Sequence, residues 1–102
     1  MLGQDEKARK ALIDLSVTGA AFLHPAEEKK GTRLSVKIKE YALEAVVVYS
    51  VERSDGFRVG VQFQGVPDHV QKALKTMVEE FSRGVPLTCE IVEKKESNPE
   101  NN

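Results

Sequence analysis

Asp14-Leu15-Ser16-Val17-Thr18-Gly19 lies between two short apolar runs, Ala11-Leu12-Ile13 and Ala20-Ala21-Phe22-Leu23. A short acid, a hydroxyl and a glycine at this spacing predict a bend between two strands, carrying a small polar notch where the edge of a ligand can be read. Gly19 has no Cβ, so backbone or ligand can approach it closely, and it tolerates positive φ at the bend. Asp and Ser side chains at such bends also bond amides two residues on, so the same residues can serve simply to satisfy their own backbone.

Outward from the bend, residues 8 to 15 are predicted as the strand entering it and 19 to 23 as the short strand leaving it. His24-Pro25 stops the pairing because proline offers no donor, and Ala26 to Thr32 is predicted as an exposed loop with Glu27-Glu28 solvated. From Arg33 the alternation is clean: Leu34, Val36 and Ile38 face one way, and Arg33, Ser35, Lys37 and Lys39 the other. Residues 42 to 52, with Val46, Val47, Val48, Tyr49 and Val51, suit a pleated surface and crowd a helix. Ser54-Asp55-Gly56 supplies a hairpin turn, and Phe57, Val59, Val61 and Phe63 then alternate with Arg58, Gly60 and Gln62 in a return strand.

Pro67 opens a helix over 67 to 83 with Val70, Leu74, Met77, Val78 and Phe81 on one face, and Gly84 stops it. Residues 86 to 93 alternate again, with Leu87, Cys89 and Ile91 on one side. The wholly polar stretch Lys94 to Asn102 is expected to be disordered. Short antiparallel strands with closely spaced turns predict a mostly β fold, a small antiparallel barrel with one helix packed on it, as a single domain over residues 1 to 93.

Composition narrows the function. The 102 residues suffice for one modest core, and no apolar run approaches the roughly 20 residues of a membrane span. Met1 to Lys10 has no apolar h-region, so a cytoplasmic location without membrane insertion is expected. Fifteen basic against sixteen acidic residues argue against a broad nucleic-acid surface, and Phe22, Phe57, Phe63 and Phe81 fall on predicted core faces instead of a stacking platform. Cys89 is alone and is predicted to be a buried thiol. His24 and His69 have no metal or catalytic spacing and are predicted to be surface residues, so an enzyme, a metal site and a cofactor are not expected.

The Asp14–Gly19 hexapeptide resembles the DxSxxG half of the PilZ domain, a bacterial receptor module for the second messenger cyclic di-GMP. Arg58-Val59-Gly60-Val61-Gln62-Phe63 is similar to that family's late glycine-centred strand, which a helix follows. The resemblance covers about residues 9 to 83 and implies a PilZ-like split barrel with Asp14, Ser16 and Gly19 on its surface as ligand-binding residues. A carboxylate such as Asp14, helped by Ser16, suits the N1–H and N2–H₂ donors of guanine.

Members that bind the dinucleotide carry an RxxxR pair upstream of the acid, and the thirteen residues before Asp14 hold none. Arg9 and Lys10 come nearest in order and are the remaining basic candidates, although the strand leaves them little reach. Losing one charged hydrogen-bonding group costs roughly 1.5 to 3 kcal/mol, so losing a pair weakens binding by on the order of two to four decades. Cyclic di-GMP binding is therefore expected to be weak or lost.

The resemblance also implies a strand between the arginine pair and the acid. Val85 to Val92 reads much like it but follows the helix, and is expected to fill the vacant place, within the chain or on a second copy. A start codon further upstream, with the arginines ahead of Met1, is the alternative. Two functions follow: a cyclic di-GMP signalling module that works by binding without chemistry, or a nucleotide-independent adaptor with a protein partner, related to type IV pili or motility. A homodimer is compatible with either.

Overall fold

Residues 9 to 95 are described by a computed structural model. The alternating segments become β1 (Lys10–Leu15), β2 (Gly19–His24), β3 (Arg33–Ile38), β4 (Tyr41–Arg53) and β5 (Gly56–Gln64), followed by a helix α1 (Asp68–Ser82) and β6 (Thr88–Lys95). All neighbours are antiparallel, and the ladder closes in the order β1-β2-β5-β4-β3-β6. The fold is thus the mostly β barrel with one helix that the alternation predicts.

Closure is the work of β6. It pairs with β1 at Lys10↔Cys89 and Ala11↔Thr88, and with β3 at Val36↔Ile91 and Lys37↔Glu90. The vacant strand position is filled within the chain, and Leu87, Cys89 and Ile91 enter the core beside Phe22, Val36 and Val47. Burial pushes the Cys89 thiol up to about 12 from an ordinary 9.0. The thiol stays protonated in the folded state; the stability this gives is complete below pH 9.0 and is lost as pH rises towards 12.

The two ends of the barrel are closed in different ways. At the end where β5 stops and β6 begins, α1 lays Val70, Leu74 and Met77 onto the core. Pro67 caps that helix in an extended conformation, its carbonyl accepting the N–H groups of Val70 and Gln71. Lys39, in the β3–β4 turn, holds the far part of α1 through a 3.0 Å bond to Glu80.

At the other end the structure corrects two expectations. His24 and Glu28 are both buried, and His24 Nε2 lies 2.9 Å from Glu28 Oε2. The Glu28 N–H donates to Ser50 Oγ at 3.2 Å, and Lys94 Nζ donates to Glu28 Oε2 at 3.3 Å. The reason is geometric: the β2–β3 connection folds over the open mouth of the barrel and carries Glu28 inside, where a carboxylate is tolerated only with partners. His69 is exposed on α1, as predicted. The bond to Glu28 also explains why β6 continues through Lys94 and Lys95 instead of dissolving at Glu93; the rest of the expected disordered tail lies outside the described residues.

Two outcomes are expected. Ending the chain after Gly84 strips the core of Leu87, Cys89 and Ile91, the two aliphatic side chains alone contributing about 1.5–3 kcal/mol each, and leaves β1 and β3 as open edges. Thermal circular dichroism of that fragment should show no cooperative transition. Replacing Glu28 with alanine should lower stability in urea melts by about 1–3 kcal/mol, because it removes the buried carboxylate that His24 Nε2 and Lys94 Nζ bond.

Candidate functional site

The outer wall is shaped by two β-bulges. Pairing slips between Leu12 and Asp14 on β1 and between Val47 and Tyr49 on β4. Each extra residue lets two successive side chains face outward: Ile13 with Asp14, and Val48 with Tyr49, while Leu15 and Val47 stay in the core. Asp14 therefore stands opposite Ala21, Ala21 opposite Gly60, and Gly60 opposite Tyr49. An acid and a phenol end one row across four strands, with two minimal side chains between them.

The small residues are required. A Cβ built on Gly60 would overlap the Tyr49 ring, so the ring lies directly on bare backbone. A Cβ on Gly19 would run into the Val61 carbonyl oxygen, which is why the bend can press against β5. Gly19 thus serves close strand packing.

From this platform the polar groups converge. Arg58 Nε donates to Tyr49 Oη at 3.0 Å, and Arg58 Nη2 lies 3.9 Å from Asp14 Oδ2. The hydrogen bond to Tyr49 first, and the Asp14 charge with it, raise the Arg58 pKa above its already high ordinary value, so the guanidinium stays charged. Asp14 Oδ1 accepts the Leu15 N–H at 2.9 Å, yet the Asp14 side chain is 70% exposed and offers Oδ2 outward. Ser16 Oγ accepts the N–H groups of Thr18 at 3.2 Å and Gly19 at 3.1 Å, so it organises the bend as well as facing the cleft.

Asp14, Ser16 and Gly19 line one cleft of about 140 Å³ whose floor and far wall include Ala21, Gly60 and Tyr49. Its lining supplies a carboxylate acceptor and a flat phenol, suited to the edge of a planar ring, while the Arg58 guanidinium stands outside the lining, beside Asp14. The structure does not bring Arg9 and Lys10 there. Lys10 points inward on β1 and lines a cavity of about 370 Å³ with His24 and Asp55, at the opposite end of the β1–β2 hairpin. Arg9 Nε lies 3.5 Å from Glu90 and lines a separate cavity of about 270 Å³ with Lys37 and Lys39. The sequence pattern singles out neither Tyr49 nor Arg58: Tyr49 reads as one more strand former, and only the bulge brings it over Gly60. The only signal available was the pairing of a large aromatic with a glycine on adjacent strands.

Among the described residues no group of His, Cys, Asp and Glu could hold a metal ion, and no helix is long and apolar enough to cross a membrane. The sequence profile of the PilZ domain matches residues 1–80, taking in β1 to β5 and most of α1. No curated protein and no solved structure matches the chain. With the barrel, the outward acid of the DxSxxG bend and that match in agreement, the chain belongs to the PilZ domain family, a family of cyclic di-GMP-binding signalling modules.

Proposed function

We propose that this chain is a cytoplasmic signalling module that binds cyclic di-GMP at the Asp14–Ser16–Gly19 cleft and acts by binding, without chemistry. The observation that carries the reading is the exposed Asp14 Oδ2 at the lip of a cleft shared with Ser16 and Gly19. A carboxylate there accepts the N1–H and N2–H₂ of one guanine, in bonds strengthened by its charge. The cleft is shallow and takes one base edge, leaving most of the dinucleotide outside, and Arg9 and Lys10 point away from it. Affinity is accordingly modest, in the micromolar range.

A second reading has its own support. Ile13, Val48 and Val51 are exposed apolar side chains on the two strands that flank the cleft, at 40%, 38% and 49%, and such a rim suits a protein partner. In that reading the chain is a nucleotide-independent adaptor.

Isothermal titration calorimetry with cyclic di-GMP separates the two. Micromolar binding that falls at least tenfold in Asp14→Ala supports the signalling module. Absence of heat from a protein with an unchanged melting temperature supports the adaptor.

A further inference from the structure

The Asp14 carboxylate alone does not define what the cleft selects. Beside it stands a cation whose position is set by an unusual chain of contacts. Gly60 lacks a Cβ, so the Tyr49 ring settles on its backbone; the ring's hydroxyl takes Arg58 Nε at 3.0 Å; and Nη2 is thereby held 3.9 Å from Asp14 Oδ2. With Nε engaged, the terminal Nη groups carry the donors left for a ligand. Their separation from Asp14 is too long for a hydrogen bond. Arg58 does not line the cleft; it stands beside it, next to Asp14, so acceptor and donor are neighbours without a hydrogen bond between them.

Resting on the cyclic di-GMP reading of this cleft, we infer that Arg58, positioned by Tyr49, is the residue that makes the site select guanine over adenine. The Watson–Crick edge of guanine presents O6, an acceptor, next to N1–H and N2–H₂, both donors. Asp14 takes the N–H groups while Arg58 gives to O6, and the ligand edge bridges the 3.9 Å gap. Adenine reverses the pattern: its N6–H₂ meets the guanidinium and its N1 lone pair meets the carboxylate. Each mismatch leaves a charged group facing a like partner, which is how polar sites reject close analogues.

A fixed cation next to Asp14 has a second effect. The dinucleotide carries two phosphate charges, and an uncompensated carboxylate would repel it; Arg58 offsets that charge at the point of contact. The Arg58 side chain is the less exposed partner, 31% against 70% for Asp14, and its Nε is tied to Tyr49. Tyr49 acts here as a positioning residue.

The test is calorimetry of the full chain with cyclic di-GMP and cyclic di-AMP, using wild type, Arg58→Met, Arg58→Lys, Tyr49→Phe and Asp14→Ala. The wild type should favour the guanine ligand by at least about a hundredfold, two charged contacts being involved. Arg58→Met should lower cyclic di-GMP affinity about ten- to a hundredfold and narrow the guanine-to-adenine ratio by a similar factor, with Arg58→Lys recovering part of both. Tyr49→Phe keeps the ring on Gly60, removes the hold on Arg58 and should narrow the ratio several-fold; thermal melts confirm folding, and a purely structural role would leave the ratio alone. Cyclic di-GMP binding lost in Asp14→Ala but unchanged in Arg58→Met and Tyr49→Phe overturns the inference and leaves the binding function standing. Equal wild-type affinity for the two dinucleotides also overturns it. A wild type that binds neither overturns both.

Discussion

The ring of backbone hydrogen bonds, closed when β6 settles between β1 and β3, is the constraint on which the remaining architecture rests. A sheet of six short strands has two edges unless it closes, and an open edge recruits other chains. Closure also defines an interior, so alternate residues of every strand meet in one core. The barrel then has two mouths to cover. An amphipathic helix covers one with apolar side chains; the β2–β3 connection covers the other with the His24, Glu28 and Lys94 network.

The same ladder is broken in three places, at β1–β2, β4–β5 and β3–β6, and the first two breaks shape the candidate site. Bulges on β1 and β4 turn Asp14 and Tyr49 outward into one row with Ala21 and Gly60. Each forfeits a little regular pairing and gains a directed side chain, which is the usual use of bulges near functional sites. Ser16 has a structural role whatever the cleft binds: its hydroxyl accepts the N–H groups of Thr18 and Gly19, and those bonds shape the lip on which Asp14 is presented.

Much of this was readable in the residues because period-two alternation reports directly on which face is buried. Leu34, Val36 and Ile38, and again Leu87, Cys89 and Ile91, all enter the core as their spacing predicts. The DxSxxG bend was readable too, and Asp14, Ser16 and Gly19 do share a cleft. The bulges were not, since one added residue exchanges inside for outside and leaves no mark in composition. That is why spacing alone does not single out Tyr49. His24 and Glu28 escape the local pattern for a related reason: their side chains are buried here by pairing within the end of a barrel, a tertiary circumstance that spacing does not encode.

Docking of a cyclic dinucleotide is proposed for the wall bearing Asp14, Gly19 and Gly60. Amide chemical-shift mapping by two-dimensional ¹H–¹⁵N NMR during a cyclic di-GMP titration addresses it most directly. Docking there should give saturable shifts concentrated at Leu15, Ser16, Thr18, Gly19 and Gly60, with the amides of β3 and β6 undisturbed. Shifts centred on the β3–β6 wall, or a spectrum that does not move at millimolar ligand, would contradict it.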